Sequence, residues 1–126
     1  MSEQSKGYHW GGRILTGLSI LTFAASGAMK LAGGADFLKQ WASFGFKPEL
    51  ATAIGVVEVL CAVIYAIPQT SVLGAVLLTG YLGGAVVTHV RAGQPFIAPI
   101  AVGICVWGGI FLRDARVRAL LPLRQP

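Results

Sequence analysis

Lys30, Glu58 and His89 bring an ammonium, a carboxylate and an imidazole into or beside long apolar stretches of the chain. These groups exchange protons, and the ammonium and imidazole donate hydrogen bonds to carbonyl oxygens, so a set of the three is equipped for proton handling or for holding a polar ligand. A charge at the centre of a bilayer-spanning helix costs roughly 2.5 to 3.5 kcal/mol or more, and such side chains normally turn toward other protein groups and pair. Glu58 carries the strongest signal, because its short side chain cannot reach the end of its apolar stretch. The plainer readings have Lys30 snorkelling to the interface, His89 joining Arg91 in a headgroup contact, and a protonated Glu58 bonded to a backbone carbonyl.

The elements that position these residues follow from composition. Of 126 residues, 55% are hydrophobic and 12% charged, and the mean hydropathy is +0.70. That is too apolar for an ordinary soluble domain. Four apolar spans run over residues 14–32, 50–67, 72–90 and 96–112. Each is near the roughly 20 residues that a helix needs to cross the hydrocarbon core. Gly33 and Gly34 close the first span, "PQTS" links the second to the third, and "RAGQP" links the third to the fourth. Such short links imply neighbouring antiparallel helices. Pro99 falls in the first turn of the last span, where its missing N–H costs little. The sequence therefore predicts a single all-α membrane domain over residues 1–126, an antiparallel bundle of four transmembrane helices. The first span, with "AASGA" after Arg13, also has features of a secretory signal, but its length favours a retained helix.

Between the first two spans, residues 35–46 read "ADFLKQWASFGF". Phe37, Leu38, Trp41 and Phe44 share one helical side and Asp36, Lys39, Gln40 and Ser43 mostly the other. This pattern predicts a short amphipathic helix in the membrane interface, anchored by Trp41 and Phe44, with a polar loop as the simpler alternative. Lys6, Arg13, Arg113, Arg116, Arg118 and Arg124 fall on the side of the termini, and Lys39, Lys47 and Arg91 on the other. The positive-inside rule then puts both termini in the cytoplasm and the chain in the cytoplasmic membrane. Topogenic and lipid-headgroup contacts account for the formal net charge of +5, and no basic, aromatic surface points to nucleic acid.

Helix rise fixes the depths of the three polar residues. Measured from the face opposite the termini, Lys30 and His89 lie roughly 3 to 5 Å deep and Glu58 roughly 12 Å deep. A Lys30–Glu58 ion pair with His89 nearby, opening toward the non-cytoplasmic face, is the arrangement expected. Glu58, Cys61 and Tyr65 share a side of the second helix, and Phe23, Ser26 and Lys30 share a side of the first. Ser26, Cys61, Tyr65, Tyr81 and Thr88 are therefore candidate pocket walls, with ordinary helix contact as the alternative for both tyrosines. Gly80 and Gly84 form a GxxxG step suited to another helix, within the bundle, in self-association or in a partner membrane protein. "GGR" near the N-terminus and "GGI" in the fourth span read as helix-contact glycines. Cys61 and Cys105 are not in a C-x-x-C pair, and each reads as a buried thiol, although a bridge between the second and fourth helices is geometrically conceivable. One intramembrane histidine with one carboxylate falls short of a metal or haem set, and His9 reads as interfacial.

"GAMKLAG", "FGFKPELATAIGVVEVLCAVIYAIP" and "GYLGGAVVTHVRAGQP" resemble the DoxX-like family of small four-helix membrane proteins, over about residues 12–112. The resemblance makes Lys30, Glu58 and His89 the characteristic polar positions and implies a bundle in the cytoplasmic membrane. It also implies a range of roles: subunits linked to thiosulfate:quinone oxidoreduction, components of thiol homeostasis and oxidative stress, and distant cargo receptors and assembly chaperones. One fold hosting several jobs does not choose among them. Three readings stand: a redox-associated protein whose Lys/Glu/His pocket takes a quinone-like or other small amphipathic molecule, an assembly subunit of a membrane complex, and a proton-coupled small-molecule transporter. No self-sufficient catalytic constellation is present, so any enzymatic role is that of an accessory or quinone-linked subunit.

Overall fold

In the computed structural model, which describes residues 3–124, the chain folds into α1 (Glu3–Ala32), α2 (Ala35–Ser43), α3 (Pro48–Ala66), α4 (Ser71–Arg91), α5 (Ile97–Arg113) and α6 (Ala115–Leu120), with a 3-10 turn at Pro68–Thr70 before α4. Three stretches, Lys6–Ala32, Pro48–Ala66 and Pro68–Arg91, are long and apolar enough to cross a membrane, and Ile97–Arg113 is a shorter apolar helix. Helix boundaries fall close to the expected spans except at the start of the chain. There α1 begins well before residue 14, and Gly12 packs beside the Gly109 carbonyl and Arg113 of α5. The "GGR" and "GGI" glycines thus meet where α1 crosses α5.

The four long helices close a ring of contacts in which α1 and α4 each pack against both α3 and α5. Its centre is filled by Phe23, Cys61, Tyr65, Leu78, Val106 and Ile110. Much of the outward surface is aliphatic and exposed, including Leu18, Leu21, Val57, Leu60, Val87 and Ile104. A water-soluble protein rarely presents so much contiguous apolar surface, whereas a bilayer covers it without cost.

Polar groups within the core are satisfied locally. Tyr65, fully buried, donates to the Val106 carbonyl at 2.6 Å. Ser19 donates to the Leu15 carbonyl at 2.8 Å, and Ser71 to the Tyr65 carbonyl at 2.8 Å. These bonds keep hydroxyls from being stranded where no water can reach them. Tyr65 consequently belongs to the core between α1, α3 and α5, and its expected place in a pocket wall is corrected. Cys61 and Cys105 are both free thiols.

Helix α6 has no counterpart among the expected elements. It begins after Asp114, whose carboxylate accepts the Arg116 backbone N–H at 2.9 Å as an N-cap. Arg118 then reaches back to the Phe111 and Leu112 carbonyls at 2.8 and 2.9 Å. These two bonds satisfy carbonyls in the last turn of α5, which have no partner within their own helix.

Candidate functional site

The site is built where α1 and α3 come closest. Gly27 lies against Val59 and the Gly55 carbonyl, and a Cβ on Gly55 would stand 2.9 Å from Lys30 Cβ and 3.3 Å from the Gly27 carbonyl. With no side chain at either position the two backbones approach closely, as small residues permit in membrane helices. Lys30 lies three residues beyond Gly27 and Glu58 three beyond Gly55, so this crossing carries both side chains into reach of each other.

They meet there. Lys30 Nζ donates to Glu58 Oε1 at 2.9 Å and to Ser26 Oγ at 2.7 Å. Ser26 in turn donates to the same carboxylate oxygen at 3.1 Å. The Glu58 side chain is 2% exposed and that of Lys30 11%, so the pair is enclosed by protein. The hydrogen bonds run one way, from ammonium to hydroxyl to carboxylate, which strengthens each link in a medium of low dielectric. Two of the three ammonium N–H groups are spent, and one remains.

Tyr81 of α4 completes the enclosure from across the ring. Lys30 Nζ lies 5.9 Å from its ring centroid, within cation–π range, and Phe23 meets the same ring edge-on. Glu58 and Ser26 are the polar groups that face the Tyr81 hydroxyl.

A cavity of about 540 Å³ opens beside this cluster, with Lys30, Ser26 and Tyr81 in its wall. Phe37, Gln40, Trp41 and Phe44 of the α2 segment form another side, together with Phe46. Trp41 is 7% exposed, stacks near Phe37 and Phe46, and donates Nε1–H to the Lys47 carbonyl at 2.9 Å. The apolar side of α2 is thus turned toward the bundle, and Trp41 and Phe44, expected as anchors at headgroup level, line the cavity. Gly33 and Gly45, both with positive φ, make the sharp turns at the two ends of α2. Arg91 donates to the Phe44 carbonyl at 3.0 Å.

His89 shares the cavity wall with Thr88 but does not join the ion pair. Its Nδ1 lies 2.7 Å from the Ala85 carbonyl one turn back. Because a carbonyl only accepts, Nδ1 carries the proton, and in the neutral ring Nε2 is left as an acceptor. Its ring packs 5.0 Å from Phe44. Thr88 likewise bonds within its own helix, to the Gly84 carbonyl at 2.8 Å. The expected three-membered cluster is therefore a Lys30–Ser26–Glu58 cluster, with His89 about two helical turns from Tyr81 along α4. Cys61 is buried in the core and does not line the cavity.

The GxxxG expectation is also revised. A Cβ added at Gly80, Gly83 or Gly84 would meet nothing within 4 Å, and Gly80 and Gly84 line the cavity. Their missing side chains leave room at the site and do not seat another helix of the bundle. Met29, Ile54 and Val57 also line it, with no signal in the sequence beyond the apolar pattern of their helices, while Gln40 comes from the side of α2 expected to be polar and Phe46 from the loop after it.

Long apolar helices around a buried ion pair and an aromatic-walled cavity define a small integral membrane protein. The particular family follows from comparison with known proteins: the DoxX-like family model matches residues 14–109, and the chain belongs to that family. No match was found among curated proteins or among solved structures.

Proposed function

We propose that this chain is a redox-associated protein of the cytoplasmic membrane whose cavity binds a small amphipathic molecule with a quinone-like head. The observation that carries the reading is the cavity of about 540 Å³ that joins aromatic walls to the Lys30 ammonium, the Ser26 hydroxyl and the Tyr81 ring. Ligand pockets commonly combine an apolar lining with a few convergent polar groups. A quinone carbonyl is an acceptor, and the unspent Lys30 N–H is a donor for it beside the Tyr81 ring. The aromatic rings of Phe37, Trp41, Phe44 and Phe46 suit a flat ring and an apolar tail. A bound quinone would supply the electron chemistry; Lys30 and the Tyr81 ring would orient its head, and His89 Nε2 is a hydrogen-bond acceptor in the same wall farther along α4.

The chain is read as one membrane domain with antiparallel helices and both termini in the cytoplasm. The order of contacts supports this, since Gly27 meets Gly55 while Thr16 meets Tyr65. The charges of Arg113, Arg116 and Arg118 support the orientation. Helix α2 then lies at the non-cytoplasmic end, roofing the cavity. An assembly role is the second reading, favoured by the unpacked Gly80–Gly84 surface of α4. Proton-coupled transport is less favoured, because Glu58 is already bound to both Lys30 and Ser26.

The test is titration of a short-chain quinone into detergent-purified protein, read by Trp41 fluorescence with Trp41→Phe as the control. Saturable quenching that Trp41→Phe abolishes and Tyr81→Leu, which removes the ring from the cavity wall, weakens is the expected result. A folded protein whose Trp41 emission never responds would overturn the reading.

A further inference from the structure

A second cavity, of about 730 Å³, lies at the opposite end of α4 from the first, between the 3-10 turn and the α5–α6 corner. Gln69, Val72, Arg113, Asp114, Arg116 and Leu120 are among its lining residues. The charges in it do not balance. Arg116 is matched by Asp114, to which it donates through Nε and Nη2 at 3.1 and 3.0 Å. Arg113 is half-buried and, among the described residues, forms no ion pair. Its Nε–H goes to the Gly109 carbonyl at 3.2 Å, and its two terminal nitrogens carry four further N–H donors. The last carbonyls of α5 do not need them, since Arg118 already serves Phe111 and Leu112.

Position narrows the kind of anion that would balance this charge. The 17 residues of α5 span about 25 Å, less than the roughly 30 Å of a hydrocarbon core. Arg113, at the end of that short helix, is therefore held at the edge of the hydrocarbon, just below the lipid phosphates and within reach of them through its long side chain. Val72 and Leu120, 44% and 61% exposed, connect the cavity to the outward aliphatic surface, where an acyl chain would lie. A guanidinium fork matches two phosphate oxygens. A zwitterionic lipid brings its own cation, whereas an anionic one offsets the unmatched charge.

We propose that this cavity is a binding site for an anionic phospholipid, with its phosphodiester on Arg113 and one acyl chain along Val72 and Leu120. It is independent of the ligand site at the other end of the bundle.

The experiment uses the full chain in mild detergent with phosphatidylglycerol or phosphatidylcholine, and native mass spectrometry reads lipid retention. One phosphatidylglycerol retained in preference to phosphatidylcholine is expected, with a loss of about tenfold or more in Arg113→Gln, the scale of a charged hydrogen bond. Arg113→Lys, which keeps the charge and loses the fork, falls between. Should Arg113→Gln fail to fold, Gln69→Glu carries the test, because it adds a negative charge at an exposed position of the cavity and lowers retention if the site is there. Equal retention of the two lipids, or retention unchanged in the variant that folds, overturns the proposal. Displacement of phosphatidylglycerol by inorganic phosphate alone overturns the lipid assignment and makes the site one for a soluble anion.

Discussion

Replacing Glu58 by leucine removes the acceptor of two hydrogen bonds, from Lys30 at 2.9 Å and from Ser26 at 3.1 Å. The ammonium is then left with Ser26 alone, on a side chain only 11% exposed. Breaking a buried pair by removing one partner typically costs about 3 to 5 kcal/mol, mostly from the stranded charge. Lys30 lies near the end of α1 and its stem can bend toward the interface, which places the expected loss at about 3 kcal/mol. Replacing both partners, as Lys30→Met with Glu58→Leu, leaves no stranded charge and is expected to recover most of that loss. Equilibrium unfolding in mixed micelles of wild type, the two single variants and the double variant measures the coupling. A single Glu58→Leu variant as stable as wild type, or a double variant as damaged as the sum of the singles, would refute the reasoning.

Two further expectations concern other parts of the bundle. Gly55→Ala would bring a methyl group to 2.9 Å from Lys30 Cβ, so the helices must part and the protein lose about 1 to 3 kcal/mol of stability, read by the same unfolding assay. At the α6 cap, Arg116 beside Asp114 holds its carboxyl below the usual range. A depressed folded value means that the cap is fully present above the unfolded value of 3.8 and is lost as pH falls through the lower folded value. Amide exchange of α6 is expected to stay slow near neutral pH and to accelerate only at strongly acid pH, whereas Asp114→Ala should accelerate it at every pH.

Much of this arrangement was legible from the residue types. Lys30 and Glu58 had to be compensated because both lie within apolar helices, and the rise per residue put them within reach of each other. The partner of His89 was harder to foresee, since a carbonyl one turn back is always available to a polar side chain on a helix. The pattern of α2 identified its apolar side but not whether lipid or protein would cover it; Trp41 and Phe46 decide that by packing together. Gly80 and Gly84 fit a spacing that permits helix contact, and permission alone does not supply a partner. "ARVRAL", at six residues, is too short to show a helical period, and it is held by the Asp114 cap and the buried Val117.

Lys30 and Glu58 together add no net charge to their part of the bundle. The work done by a transmembrane potential scales with the charge moved through it, at about 2.3 kcal/mol per unit charge for each 100 mV. A neutral molecule entering beside an intact pair therefore moves no charge through the field. Occupancy of the cavity would then be governed by partitioning from lipid and would be the same in energised and de-energised membranes.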